Sequence, residues 1–228
     1  MTTQTAVLVI DLQKEAGFHL ERIDEVVSNA RSVIDAARQL NIPLLYTRHV
    51  NDAEGQNLAG SEPVDEAGRP TSYRAGTPAV EILEVLAPAS GDTVIDKHRY
   101  SAFHGTDLDA ALKKQNIRTL VVIGVLTDVC VMTTVFDAYQ HNYEVVVVAD
   151  ACTATTLAAH YSALLILTNW IYGLSLFSSA ELLKQWSRQA SVHLATQVPD
   201  HFAFQPEAFV PTIERLETAL NSQPSSWS

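Results

Sequence analysis

The sequence alternates short apolar runs with amphipathic stretches, and this alternation restricts the fold more than any other feature. Apolar residues recur at helical spacing from Ile23 to Leu40, between two of the runs. Each such β-α-β unit implies a parallel strand pair with a right-handed crossover. The pattern therefore predicts one α/β domain, a three-layer α/β/α sandwich around a parallel sheet of six strands. The predicted strands are Thr5–Leu12, Leu44–Thr47, Thr93–Asp96, Thr119–Ile123, Glu144–Ala149 and Leu174–Phe177.

Two segments interrupt this alternation. Residues 51–76 form the longest irregular stretch, which we interpret as a lid or an oligomer contact. A short helix is predicted for Pro78–Leu86. After Ser191 three prolines punctuate a loop-rich tail with a final helix at about Thr212–Leu220. We therefore predict one α/β domain at 1–190 and a C-terminal extension at 191–228, packed on the domain or on a neighbouring subunit.

Composition excludes several classes of partner. The formal net charge of −11 over 228 residues argues against binding to nucleic acid or to an anionic membrane. Two cysteines are too few for a disulfide framework and favour a reducing compartment. The amino terminus lacks the positive segment of a secretion signal, and the apolar run Ala163–Phe177 is shorter than a bilayer crossing. We expect a cytoplasmic protein.

Three reactive side chains follow three predicted strands at their carboxyl ends: Asp11, Lys97 and Cys130. With the common strand order 3-2-1-4-5-6, the first and fourth strands are neighbours, so Asp11 and Cys130 face one crevice. Cys130 lies in the first turn of a helix, where the dipole favours a thiolate. An alternative is a structural Asp–Lys ion pair beside an inert cysteine.

Three segments, VLVIDLQ (Val7–Gln13), VIDKHRYSAF (Val94–Phe103) and GVLTDVCV (Gly124–Val131), resemble the signature blocks of the isochorismatase-like cysteine hydrolases. That family includes nicotinamidases, N-carbamoylsarcosine amidohydrolase, ureide and biuret hydrolases, and isochorismatase. The resemblance extends from about Thr5 to Gln189, with the blocks in order and at family-like spacing. It implies the isochorismatase-like fold and, because family members are commonly oligomeric, a homo-oligomer.

The resemblance also implies roles for particular residues. Cys130 would be the nucleophile, Asp11 the general base and later acid, and Lys97 the group that lowers the thiol pKa. A cis peptide bond would join Val125 to Leu126, and the N–H groups of Leu126 and Cys130 would form an oxyanion hole. The implied reaction is hydrolysis of a small amide or ureide through a thioester.

Departures from the family pattern restrict the expected reaction and the expected cofactor. Family members that cleave a vinyl ether manage without the cysteine, so Cys130 favours C–N bond cleavage. Nicotinamidases hold a metal through an Asp-x-His block after the second strand, which is missing from Tyr46–Asp52. His98 and His104 lack a third ligand type nearby. We therefore expect no metal and no cofactor.

Candidate substrate contacts are Gln13, Arg48, Tyr100 and Phe103. Phe103 would wall the pocket, and Arg48 would bind a substrate carboxylate, although an arginine after an edge strand more often forms a surface ion pair. Two alternatives stay open. One is vinyl-ether hydrolysis, which needs Asp11 but not the thiol. The other is a non-catalytic binding or scaffold protein with the same fold.

Overall fold

The computed structural model describes residues 4–15, 17–203 and 205–221. Its strands and helices alternate along the chain as the apolar pattern predicts. The end of the predicted extension, residues 222–228, lies outside the described residues, as do residues 1–3. The elements are β1 (Thr5–Ile10), α1 (Ile23–Gln39), β2 (Leu44–His49), β3 (Thr93–Lys97), α2 (Leu108–Lys114), β4 (Thr119–Val125), α3 (Met132–Gln140), β5 (Glu144–Thr153), α4 (Leu157–Trp170), β6 (Ser175–Phe177), α5 (Ser179–Trp186), β7 (Leu194–Ala195) and α6 (Phe209–Asn221).

One sheet contains all these strands in the order β3-β2-β1-β4-β5-β6-β7. The predicted order of the first six strands and their parallel pairing are confirmed. The predicted number of six strands is wrong, because β7 adds a seventh, antiparallel to β6. β7 is only two residues long and lies in a loop-rich stretch, so no alternation of apolar residues marks it.

Helices cover both faces of the sheet, which gives the predicted three layers. Apolar residues of α1 and α5 pack on one face, together with β1 side chains such as Val7 and Val9. Helices α2, α3, α4 and α6 pack on the other face, where Leu8 and Ile10 point. Because successive strand residues point to opposite faces, strands buried on both sides are apolar throughout.

The predicted helix Pro78–Leu86 is wrong. Two short 3₁₀ turns, Pro78–Val80 and Glu84–Leu86, lie at its ends. Between them the backbone is held against the segment that follows β1, because the Leu83 N–H donates to the Leu12 carbonyl at 2.9 Å. This pairing with β1's continuation replaces the helical hydrogen bonds of the middle residues.

The described part of the tail packs on α4 and the end of the sheet. Phe202 and Leu216 are buried in the core on that face, and the Tyr161 hydroxyl donates to the Glu217 carboxylate. Thr196 is also buried, and its hydroxyl donates to the Ile171 carbonyl at 2.8 Å. The division into a domain at 1–190 and an extension at 191–228 stays a prediction.

Candidate active site

The site lies at the carboxyl edge of the three central strands β2, β1 and β4 and of the neighbouring β3. Asp11 follows β1 directly, and its backbone adopts φ 50°, a left-handed conformation that aspartate tolerates better than most residues. Lys97 is the last residue of β3, and Cys130 lies in the turn after β4. The parallel order of these strands brings the three side chains to one edge.

Close approach of β1 and β4 depends on Gly124. Its φ is 128°, and a Cβ at this position would lie 2.0 Å from the Ile10 carbonyl oxygen. Only glycine fits such a backbone contact. Directly after it, the Val125–Leu126 peptide bond is cis, as the family resemblance implies.

Cys130 sits in a wide helical turn, Thr127–Val131, that precedes α3. The Val131 N–H donates to the Leu126 carbonyl at 3.0 Å, an i to i+5 bond of the kind often found at functional sites. Within the described residues the Leu126 N–H itself donates to no protein acceptor. Its donor therefore remains available at the turn that carries the thiol.

Asp11, Lys97 and Cys130 meet in a buried cluster, which we call the triad. The Lys97 Nζ lies 2.7 Å from Asp11 Oδ2 and 3.3 Å from Cys130 Sγ. Lys97 is fully buried, and Asp11 and Cys130 are 3% and 8% exposed. A carboxylate oxygen of Asp11 also lies within 4.8 Å of the Cys130 sulfur. The structure thus brings together all three reactive residues that the sequence singled out.

Burial and charge act against each other on the two protons of this cluster. Burial alone would lower the pKa of Lys97, but Asp11 and Cys130 outweigh it and the lysine pKa is raised. Burial raises the pKa of Cys130, and Asp11 adds to this more than Lys97 subtracts. Desolvation of the sulfur thus opposes the thiolate that the helix position favours.

Neighbouring side chains fix the acid and the amine. The Thr47 hydroxyl, in β2, donates to Asp11 Oδ1 at 2.7 Å. His49 Nδ1 lies 3.4 Å from the Lys97 Nζ, and its Nε2 lies 3.2 Å from the Asn51 Oδ1. Burial and then Lys97 lower the pKa of His49, so the ring is neutral. Its Nδ1 then accepts from the ammonium while Nε2–H donates to Asn51.

The sequence analysis missed Thr47, His49 and Tyr73. The first two also lie at the carboxyl end of a central strand, so the rule that found Asp11 applies to them. Tyr73 belongs to the irregular segment 51–76, and its ring lies 5.1 Å from that of His49. Burial, followed by the charges of Asp11 and Cys130, raises the pKa of Tyr73. No spacing rule predicts a loop tyrosine at this place.

Two of the four predicted substrate contacts, Gln13 and Arg48, bond to other groups of the protein. Gln13 lines the cavity beside Asp11, but its amide donates to the carbonyls of His49 and Val80 and accepts from the His49 N–H. The Arg48 guanidinium forms two 2.7 Å bonds with Asp96.

Phe103 and Tyr100 lie in other surroundings. Phe103 stacks on His141 with ring centroids 4.9 Å apart. Tyr100 is 54% exposed and lines a separate, open depression beside α3. Among the lining residues that the structure describes, only Gln13 of the four reaches the cavity next to Asp11.

One group of possible metal ligands coincides with this cluster. Asp11, His49 and Cys130 offer ligand atoms that all lie within 4.8 Å of one another. The Lys97 ammonium lies 2.7 to 3.4 Å from an atom of each. A metal ion would have to displace this fixed cation, so these residues do not fit a metal in the native chain. The absence of a metal stays a prediction.

Comparison with known proteins agrees with this geometry. The isochorismatase domain model matches residues 5–172. The chain belongs to the isochorismatase family. It is 30% identical over 178 residues to the ureidoacrylate amidohydrolase RutB of Acinetobacter baylyi, covering 65% of this chain and 70% of that protein.

Solved structures of two hydrolases share the fold of this chain. A cysteine hydrolase from Pseudomonas syringae is 26% identical with a TM-score of 0.72, over 82% of this chain and 94% of that chain. The N-carbamoylsarcosine amidase of Thermoplasma acidophilum is 28% identical with a TM-score of 0.64, over 78% of this chain and 98% of that chain. Across the described residues no helix is both long and apolar enough to cross a bilayer.

Proposed function

We propose that this protein is a cysteine-dependent hydrolase that cleaves a C–N bond of a small amide or ureide. The observation that carries the proposal is the contact of Lys97 with both Asp11 and Cys130, three residues from three different strands. The relatives support the reaction class, since RutB is named for ureidoacrylate and the Thermoplasma enzyme for N-carbamoylsarcosine. Both named substrates contain a carbamoyl C–N bond.

The first half of the proposed reaction forms a thioester. Asp11 accepts the thiol proton, and the sulfur of Cys130 attacks the substrate carbonyl. The negative oxygen of the tetrahedral intermediate accepts hydrogen bonds from the N–H groups of Leu126 and Cys130. The C–N bond then breaks, and the leaving nitrogen takes the proton from Asp11.

The second half releases the acid. Asp11, again ionised, removes a proton from a water molecule that attacks the thioester carbonyl. The C–S bond breaks and the sulfur of Cys130 recovers the proton from Asp11. Lys97 stays charged throughout and stabilises whichever of its two partners is anionic. Asp11 therefore acts as a base and an acid in both halves.

His49 and Tyr73, which the sequence did not predict as site residues, support this reaction. His49 accepts a hydrogen bond from Lys97 and so helps to aim the ammonium at Asp11 and Cys130. Tyr73 keeps its proton because its pKa is raised, so its hydroxyl can donate to a substrate beside the triad. We assign structural roles to Gln13 and Arg48, since their polar groups already bond within the protein. Gln13 holds the backbone at His49, and Arg48 joins β2 to β3 through Asp96.

The test is ammonia release from a panel of small amides and N-carbamoyl compounds, with the wild type, Cys130→Ala and Cys152→Ala. Cys130→Ala should lose at least about 10³-fold in rate, because no other described side chain beside Asp11 replaces the sulfur. Cys152, a buried residue of β5, is the matched control, and Cys152→Ala should retain activity. Ammonia release by Cys130→Ala at a rate close to that of the wild type would contradict the mechanism.

A further inference from the structure

The cavity beside Asp11 has mainly apolar walls. Its volume is about 340 Å³, enough for a small substrate. The rings of Phe18 and Tyr73 form one side, with centroids 6.1 Å apart. The other apolar lining residues are Leu12, Leu20, Ile23, Leu83 and Val125. Such walls suit a small planar or apolar body next to the scissile carbonyl.

A carboxylate is built into the wall of this cavity. Glu15 accepts from the Gly17 N–H through Oε1 at 2.7 Å and from the Tyr73 N–H through Oε2 at 2.6 Å. These bonds join the loop after β1 to the segment 51–76 that covers the site. The negative group of Glu15 is therefore held beside the position that a substrate would occupy.

The ammonium groups at the cavity already have carboxylate partners. Lys14 lines the cavity, but its Nζ lies 2.8 Å from Glu81 and 3.0 Å from Glu84. Lys97 lies outside the described lining and is itself paired with Asp11. A carboxylate on a substrate would therefore have to compete with protein carboxylates for either cation.

We infer that this pocket selects a neutral amide or ureide and discriminates against one that carries a carboxylate. The inference rests on the proposed function and names the substrate class that the triad receives. It separates this pocket from those of the two named relatives, because ureidoacrylate and N-carbamoylsarcosine each carry a carboxylate. Its physical basis is repulsion, because an anionic substrate would lie beside Glu15 in a partly desolvated pocket whose cations are neutralised.

Two alkylating reagents test the inference without any turnover. Iodoacetamide is a neutral amide and iodoacetate is its carboxylate counterpart, and both place a carbon next to the sulfur of Cys130. The rate of each reaction at Cys130 is followed by peptide mass spectrometry at low ionic strength. The ratio of the two rates is compared with the same ratio for 2-mercaptoethanol, which corrects for intrinsic reactivity.

For the wild type we expect Cys130 to prefer iodoacetamide by about tenfold more than the free thiol does, and salt should reduce this preference. The double variant Glu81→Gln/Glu84→Gln frees the Lys14 ammonium without touching the triad. Both glutamates are largely exposed, so the fold should be retained. In this variant the preference should fall toward the value for the free thiol.

The control is a double variant that changes the net charge by the same amount as Glu81→Gln/Glu84→Gln, but at residues far from the cavity. Glu207→Gln/Glu214→Gln replaces two exposed glutamates of the tail and should leave the preference unchanged. A wild-type preference no greater than that of the free thiol would overturn the inference, as would failure of both reagents to reach Cys130. Because alkylation needs no hydrolysis, a chain that shows the preference but releases no ammonia would contradict only the proposed function.

Discussion

His160 should make the stability of this protein depend strongly on pH. The ring is 7% exposed at the start of α4, and its Nδ1 lies 2.8 Å from the Thr127 hydroxyl. Burial, with a smaller contribution from the charge of Arg22, lowers the pKa of His160 to about 4. In the unfolded chain the pKa of the same imidazole is about 6.5.

The direction of the pH dependence of stability follows from which state, folded or unfolded, binds the proton at the higher pH. Between pH 6.5 and 4 the unfolded chain protonates His160 while the folded chain keeps the ring neutral, so acid favours unfolding. The stability contributed by the neutral ring is fully present above pH 6.5 and is lost as pH falls toward 4. From these two pKa values the loss is about 2 kcal/mol by pH 5 and about 3 kcal/mol by pH 4.

The assay is urea unfolding followed by tryptophan fluorescence at pH 7 and pH 5, for the wild type and His160→Asn. Asparagine places a polar atom near the Nδ1 position, so contact with Thr127 is retained without a titrating group. The variant should be less stable at pH 7 by about 1 kcal/mol and should lose about 2 kcal/mol less on acidification. His49 and His193, whose pKa values are also lowered, contribute equally to both chains. Equal losses in the two proteins would refute the argument.

Three further predictions concern the triad's surroundings. Gly124→Ala should destabilise the protein by about 3 kcal/mol or more in urea unfolding, because its Cβ would overlap the β1 backbone, whereas Gly91→Ala has open space and should change stability by less than about 0.5 kcal/mol. Thr47→Val removes the hydrogen bond to Asp11 and should lower kcat about tenfold, while Thr47→Ser should keep most activity; equal losses would contradict a role for the hydroxyl. Lys97→Ala should bind Zn²⁺ in calorimetric titrations, since removing the ammonium opens the space between three metal ligands, whereas the wild type and the space-filling Lys97→Leu should not.

The central part of the fold was predictable because it depends on a repeated pattern. Each apolar run is long enough to mark a strand, and parallel strands joined by helices must have their carboxyl ends on one edge. Asp11, Lys97 and Cys130 could therefore be placed together before any coordinates were known. β7 could not, because a two-residue strand arises from hydrogen bonding to β6 and not from its own side chains.

Three of the predicted substrate contacts do not line the cavity beside Asp11, and their role stays a prediction. Tyr100 and Phe103 lie in the segment Val94–Phe103, and Arg48 lies near the end of β2, but a position in the sequence does not determine which partner a side chain contacts. Arg48 pairs with Asp96 across two neighbouring strands, and Phe103 stacks on His141 at the C-terminal end of α3. The cavity instead takes Phe18 and Tyr73 from loops, whose paths depend on tertiary contacts such as those of Glu15.

The resting position of one proton links the burial of the triad to its proposed chemistry. The helix position and Lys97 favour a thiolate at Cys130, because both lower the thiol pKa. Burial and Asp11 raise that pKa by more, so the net shift is upward. Loss of that proton to solvent would leave a net negative charge in a buried site, which is costly. Transfer of the proton to Asp11 keeps the cluster neutral, since Lys97 is then paired with the sulfur instead of the carboxylate. The same burial that opposes a free thiolate therefore favours direct transfer to Asp11, and it leaves the proton next to the nitrogen that must depart.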